Sequence, residues 1–170
     1  MSQLFRLSEV IKFAIEKERE AFEFYEKCFN ETESLEKTVD AEGKAKLEAV
    51  KSLFQLLMLE EKKHEDFYSQ MLNSTKIENS PGVKEDDEYF LYMQELIDSS
   101  RTTPAFTISN VEHNLKNAID IAAARERDSI VFYVGLKNLV SSASHAAIDG
   151  IIKEEAKHLA KLIGIKAKLL

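Results

Sequence analysis

Two short segments, far apart in the chain, repeat the same chemical groups at the same spacing. They are Glu61-Lys62-Lys63-His64 and Glu155-Ala156-Lys157-His158. Residues three apart lie on one face of an α-helix, so each segment presents a carboxylate and an imidazole about one turn apart. These groups bind divalent ions such as iron, manganese or zinc. Because the pair occurs in each half of the chain, we interpret it as a duplicated metal-ligand motif.

A second duplicated pattern precedes each of these pairs. Glu18 stands seven residues before Tyr25, and Glu126 stands seven residues before Tyr133. Four carboxylates buried together would repel one another and lose their hydration, whereas two divalent cations would balance their charge. The sequence therefore predicts a site for two metal ions whose ligands are Glu18, Glu61, His64, Glu126, Glu155 and His158.

The composition limits the class of protein. A chain of 170 residues can bury a sizeable core, and we expect residues 1–170 to form a single domain. The formal net charge of −7 argues against binding to nucleic acid or to an anionic membrane. Neither a signal peptide nor a membrane span is apparent, and the single cysteine, Cys28, excludes an internal disulfide framework. We therefore expect a cytoplasmic protein.

Apolar residues spaced three and four apart predict four long amphipathic helices. The predicted helices are Ser8–Glu33, Gly43–Leu72, Ser109–Val140 and Ser144–Lys168. In each helix the apolar stripe is interrupted near its middle by the predicted ligands. Short links within each half predict two helical hairpins, and the long segment Asn73–Ile108 can cross the bundle so that the second and third helices run in the same direction. Within it, Asp86–Ile97 is predicted to form a short helix.

The ligand pattern resembles that of the ferritin-like di-iron carboxylate superfamily, and specifically of the rubrerythrin-type domain. The resemblance is carried by the segment Ala14–Tyr25, by Glu60-Glu61-Lys62-Lys63-His64, and by the matching pieces in the second half. One glutamate from each of two helices, with Glu-x-x-His from each of the other two, is the ligand set of these bundles. The resemblance implies an all-α, ferritin-like four-helix bundle made of two helical hairpins joined by a long crossover.

The resemblance also implies a role for each residue. Glu18 and Glu126 would each bind one ion, Glu61 and Glu155 would bridge both ions, and His64 and His158 would each complete the coordination of one ion. The metal centre itself would be the catalytic group. It would contain two iron ions that cycle between Fe²⁺ and Fe³⁺ with an oxo or hydroxo bridge, with manganese or zinc as alternatives.

Four further residues are expected to support these ligands. Tyr25 and Tyr133 would donate hydrogen bonds to glutamates across the bundle. Glu60 and Glu154 would accept the outer ring N–H of a histidine on the neighbouring helix and so fix its tautomer.

The implied function is that of a non-haem di-iron oxidoreductase that reduces H₂O₂ or O₂, as a rubrerythrin-like peroxidase or a ferroxidase in oxidative stress. Rubrerythrins proper have an additional glutamate three residues after the third-helix ligand, where this chain has Ser129. They also have a rubredoxin module with four cysteines, which this sequence lacks. Electrons would therefore come from an external donor such as a rubredoxin-like protein, or from Fe²⁺ itself. A homodimer is expected, and the crossover would permit exchange of hairpins between subunits.

Two other functions stay open. The chain could bind or store iron without sustained catalysis, which requires a closed cage of many subunits. It could also be a purely structural bundle, which predicts no bound metal and no gain in stability when Fe²⁺ is added.

Overall fold

The computed structural model describes residues 7–37, 39–74, 111–138 and 142–169, together with Tyr92 and Glu95. These residues form four long α-helices and no β-strand, which confirms the all-α prediction. The helices are α1 (Leu7–Leu35), α2 (Ala41–Leu72), α3 (Val111–Lys137) and α4 (Ser142–Leu169). Most of the predicted crossover lies outside the described residues. Within its predicted short helix only Tyr92 and Glu95 are described, and both have helical backbone.

Two helices begin two residues earlier than the apolar pattern predicts. α2 begins at Ala41 rather than Gly43, because the Asp40 side chain accepts a hydrogen bond from the Gly43 backbone N–H at 2.9 Å and caps the helix. α4 begins at Ser142 rather than Ser144. In both cases the extra residues are exposed and polar or small, so they carry no apolar signal.

The helices pack as two hairpins that face each other. α1 packs along α2, and α3 packs along α4, while α2 also contacts α4 and α1 also contacts α3. The first half of α1 shares a core cluster with the last turns of α2 and α3, and the first half of α4 completes it. Hence α2 and α3 run in the same direction, as the length of the connection predicts.

The apolar core is divided into two clusters along the bundle axis. The first core cluster contains the buried residues Val10, Ile11, Phe13, Ala14, Tyr68, Phe132, Tyr133, Leu136, Ile148 and Ile151. The second core cluster contains Tyr25, Cys28, Leu47, Val50, Leu53, Phe54, Leu57, Leu115, Ala118, Ile119, Ala122, Ala123 and Leu162. Burial of this much apolar surface is the main stabilising contribution to the bundle.

Charged pairs join the helices of each hairpin near the surface. In the first hairpin, Arg19 donates two hydrogen bonds to Glu65, from Nε at 3.2 Å and from a terminal nitrogen at 2.9 Å. In the second hairpin, Lys137 Nζ lies 2.6 Å from Asp149, and Lys166 binds Asp120. Pairs this exposed contribute little to stability, so they chiefly orient the helices within each hairpin.

A layer of polar side chains separates the two core clusters. It consists of Glu18, Glu61, His64, Glu126, Glu155 and His158, none of which is more than 2 % exposed. Buried carboxylates are costly unless they are paired or bind a metal, so this layer is the part of the bundle that requires a functional explanation. Among the described helices, none has a stretch long and apolar enough to cross a membrane.

Candidate metal centre

Every helix contributes to the polar layer, and local helix geometry determines how. α1 and α3 each place one carboxylate there, from Glu18 and Glu126. α2 and α4 each place a carboxylate and an imidazole three residues apart, so both groups point toward the bundle axis. Because α2 and α4 are neighbours, their two Glu-x-x-His pairs face each other across the axis.

The six side chains form two overlapping groups. The first group is Glu18, Glu61, His64 and Glu155, and the second group is Glu61, Glu126, Glu155 and His158. Within each group, one potential ligand atom from every member lies within 4.8 Å of the others. Glu61 and Glu155 belong to both groups. The arrangement therefore provides two overlapping sets of potential metal ligands that share two carboxylates.

The inner nitrogens of both histidines face these carboxylates at short distances. His64 Nδ1 lies 3.1 Å from Glu155, 3.4 Å from Glu61 and 3.8 Å from Glu18. His158 Nδ1 lies 3.4 Å from Glu155 and 3.6 Å from Glu61, with Glu126 also at 3.6 Å. The two rings are nearly parallel, with their centroids 6.1 Å apart.

The outer nitrogens of the histidines are held by a carboxylate on the opposite helix. His64 Nε2 lies 3.0 Å from Glu154, and His158 Nε2 lies 2.8 Å from Glu60. A carboxylate oxygen accepts a hydrogen bond from an N–H group, so each Nε2 carries the proton. In the neutral imidazole this leaves the lone pair on Nδ1, directed into the polar layer, where it can bind a cation.

Several polar atoms of the layer have no hydrogen-bond partner in the described part of the chain. They are Glu18 Oε1, both carboxylate oxygens of Glu155, and Nδ1 of both His64 and His158. The distances from the two Nδ1 atoms to carboxylate oxygens do not have hydrogen-bonding geometry, so proximity does not satisfy these atoms. Unsatisfied buried donors and acceptors are rare in native proteins. Converging oxygen and imidazole atoms fit divalent iron, manganese or zinc, so the residues present suit a metal site.

In the protein alone, neighbouring groups and burial raise the pKa values of four side chains of this layer. Burial and the negative charge of Glu61 raise the pKa of Glu18 well above its usual value. Burial and the neighbouring Glu155 raise the pKa of Glu126 to about 8. Burial opposes protonation of His158, but its contacts with Glu126 and Glu155 outweigh that effect and raise its pKa to about 11. The pKa of His64 rises well above its usual value for the same reason, through Glu155 and Glu18.

The two predicted supporting tyrosines behave differently. The Tyr25 hydroxyl donates a short hydrogen bond to Glu126 Oε1 across the bundle. Burial, followed by the charge of Glu126, raises the pKa of Tyr25 well above its usual value, so the phenol stays protonated and can donate. The corresponding bond from Tyr133 is not formed, and its buried hydroxyl has no hydrogen-bond partner among the described residues. The Tyr133 ring instead stacks on Tyr68 at a centroid distance of 5.2 Å.

One residue beside the layer has an unpartnered polar group to which the sequence pattern assigns no role. Tyr68 lies in the apolar stripe of α2 and is fully buried, but its hydroxyl has no hydrogen-bond partner in the described part of the chain. Its position four residues after His64 could have indicated this, because that spacing places both residues on one helix face.

Ser129 lies on α3 and is partly exposed.

The fold and the polar layer together define a class, the four-helix bundle proteins with a carboxylate–histidine metal site between two helical hairpins. A model of one family, Rubrerythrin, matches residues 9–166. The chain therefore belongs to the rubrerythrin family, which confirms the resemblance of its motifs. Neither a search of curated proteins nor a search of solved structures found a match.

Proposed function

We propose that the protein binds two iron ions in its polar layer and is a non-haem di-iron oxidoreductase that reduces H₂O₂ or O₂. The observation that carries this proposal is the sharing of Glu61 and Glu155 between the two groups. Two separate sites would need no shared ligand, whereas a pair of cations held close together needs bridging carboxylates. Membership of the rubrerythrin family supports iron as the metal.

Each residue has a role in this proposal. Glu61 and Glu155 would bridge the ions. Glu18 and His64 would complete the first position through a carboxylate oxygen and Nδ1, and Glu126 and His158 would complete the second. The four carboxylates would balance the four charges of two divalent ions, so the filled layer is neutral. This neutrality removes the electrostatic cost of burying four acids together.

A bound pair of iron ions supplies two electrons, which with two protons convert H₂O₂ into two molecules of water. The protein residues orient and enclose the pair. The two core clusters exclude bulk water from both ends of the layer. Tyr25 holds Glu126, and Glu60 and Glu154 hold the histidines by their outer nitrogens.

The partners and location follow from the same proposal. Cys28 is the one cysteine of the sequence and is buried, so the chain has no four-cysteine iron site to supply electrons. We therefore propose an external donor such as a rubredoxin-like protein, a homodimeric assembly and a cytoplasmic location. The net charge of −7 supports the expectation that neither nucleic acid nor a membrane is a partner.

The function is tested with anaerobically reduced, iron-loaded protein. The protein is mixed with H₂O₂ or with O₂ in the presence of a reduced rubredoxin, and consumption of the oxidant is followed over many turnovers. Faster turnover with H₂O₂ supports a peroxidase, and catalytic oxidation of added Fe²⁺ with O₂ supports a ferroxidase. A single turnover with either oxidant, together with a large closed assembly in sedimentation, would contradict the proposal and indicate iron storage.

The supporting carboxylates give a prediction about metal affinity. We expect Glu60→Ala to weaken binding of Fe²⁺ by about tenfold, because partners of metal-bound histidines typically contribute that much. Its side chain is 23 % exposed, against 46 % for Glu154. Water can replace the more exposed carboxylate more easily, so the matched variant Glu154→Ala should lose less of its affinity for Fe²⁺. Calorimetric titration with Fe²⁺ under argon measures both effects, and a larger loss in Glu154→Ala would contradict this ranking.

A further inference from the structure

The two ends of the polar layer are built on the same plan, because the two hairpins repeat each other. α1 and α3 each carry an alanine four positions before the glutamate. Each also carries a tyrosine seven positions after it. They are Ala14 and Tyr25 in the first half, and Ala122 and Tyr133 in the second. All four are buried in the core clusters next to the layer. These positions therefore do not distinguish the two groups.

The two halves of the chain differ at one chemically important position. Four residues after the histidine, α2 has Tyr68, whereas α4 has Leu162. Both side chains are fully buried, one at each end of the layer. The first group consequently has a hydroxyl next to it that the second group lacks.

Two aromatic rings of α2, one beside each group, make similar stacking contacts. Beside the second group, the ring of Phe54 stacks on Tyr25 with 24° between the planes. Beside the first group, the ring of Tyr68 stacks on Tyr133, again at 24°. An aromatic ring is thus used in the same way at both ends. The Tyr68 ring explains the packing, but its hydroxyl contributes nothing to that packing and needs a separate reason.

Two buried tyrosine hydroxyls lie beside the first group. Tyr68 and Tyr133 have no hydrogen-bond partner among the described residues. The unpartnered carboxylate oxygens of the group, Oε1 of Glu18 and both oxygens of Glu155, are atoms that would bind the cation. The counterpart of the Tyr25–Glu126 bond, from Tyr133 to Glu18, is not formed. Once the carboxylate oxygens bind the cation, the Tyr68 hydroxyl has no acceptor among the described residues.

The surroundings of Tyr68 keep its hydroxyl protonated. Burial, followed by the charges of Glu18, Glu155 and Glu61, raises the pKa of Tyr68 well above its usual value. These are the three carboxylates of the first group. The phenol therefore keeps its proton at neutral pH and is available as a hydrogen-bond donor beside the first group.

We propose that Tyr68 donates a hydrogen bond to a small anionic or peroxidic ligand bound at the first metal position, and so makes the two positions unequal. The inference rests on the proposed function, because the ligand binds to metal. An unpaired buried hydroxyl is costly, and a ligand that accepts its proton recovers that cost. Tyr68 is thus a specificity-determining residue for the small ligand, and Leu162 leaves the second position without such a donor.

The test uses azide as the probe and iron-loaded, air-oxidised protein. Azide is titrated into wild-type protein and into Tyr68→Phe and Tyr133→Phe, and the azide-to-iron absorption band gives the affinity. We expect Tyr68→Phe to weaken azide binding by about tenfold, since it removes one hydrogen bond to a charged ligand. Tyr133→Phe should stay within about twofold of wild type. Both variants keep the stacked rings, and iron content and melting temperature establish that each is folded and loaded.

The outcomes separate this inference from the proposed function. If Tyr68→Phe binds two irons but binds azide as wild type does, or if only Tyr133→Phe weakens azide binding, the inference about Tyr68 is overturned and the metal site stands. If wild-type protein binds no iron, both proposals fail. The stoichiometry for wild-type protein gives a second measurement that needs no variant: we expect one azide for each pair of irons, and two equivalent azides would overturn the inequality.

Discussion

The double variant Glu61→Ala/Glu155→Ala is expected to lose both metal ions. These two carboxylates belong to both groups, so each cation position would lose two of its four protein ligands. Iron content after desalting measures this directly, with wild-type protein expected to hold two ions per chain and the variant none. Two ions bound to the variant would show that the bridging roles are wrongly assigned.

The same experiment has a thermal readout. A ligand that binds only the folded state stabilises it by about 2.7 kcal/mol when its free concentration is a hundred times Kd. For a chain of this size that corresponds to a rise in Tm of roughly 5–10 °C, which the double variant should not show. Unchanged helical circular dichroism would establish that the variant is folded. An equal rise in Tm for both proteins would show that the stabilising metal binds outside the polar layer.

A single variant provides the matched control. Glu18 belongs to the first group alone, so Glu18→Ala should weaken one position and leave the other with all of its ligands. We expect about one ion per chain to remain in this variant. Loss of both ions from Glu18→Ala would mean that the two positions bind cooperatively, and retention of both would mean that Glu18 is not a ligand.

The second large effect is the dependence of stability on pH. We expect the metal-free protein, prepared with EDTA, to become less stable as the pH rises from 5 to 9, and metal binding to strengthen over the same range. The cause is the competition between protons and cations for the polar layer. Melting temperatures measured with and without Fe²⁺ under argon test both parts of the prediction.

The direction follows from the groups whose pKa values are raised in the folded protein. Glu126 has a folded pKa of about 8 against a reference value of 4.5, so between these values the folded state holds a proton that the unfolded state has lost. His158, with a pKa of about 11 against 6.5, behaves in the same way at higher pH. Wherever the folded state binds more protons, stability falls as the pH rises. The lowered pKa of Glu155 acts below pH 4.5 and so outside this range.

Proton release on metal binding gives an independent measurement. The raised pKa values of Glu18, Glu126, His64 and His158 favour a proton on each group in the metal-free protein, and each group must lose one to become a ligand. Binding of two ions should therefore release roughly four protons at pH 7. The variant Glu126→Gln should release about one fewer and should flatten the fall in stability between pH 5 and 8. Metal binding without proton release would contradict the protonation states described above.

Much of the candidate site could be predicted from the spacing of a few residues. The pairs Glu61–His64 and Glu155–His158 had to lie on single helix faces, and their burial followed from their place in apolar stripes. The contacts of Glu60 and Glu154 with the outer histidine nitrogens also follow from adjacency, since each precedes a predicted ligand. The apolar pattern places the start of α2 two residues late, because Asp40 acts through a hydrogen bond and carries no apolar signal.

The sequence by itself determined which side chains share a helix face, because backbone hydrogen bonds impose the same periodicity on every α-helix. It thereby determined the two hairpins and the six groups of the polar layer. The resemblance to a known family implied that Glu61 and Glu155 are shared, and their positions agree with it. Only the tertiary structure decided that Tyr25 bonds to Glu126 while Tyr133 has no partner among the described residues, and that the unpartnered Tyr68 hydroxyl lies beside the first group. These details depend on how far each helix is rotated and shifted against its neighbours. Side-chain packing between helices sets those displacements, and no pattern within one helix contains them.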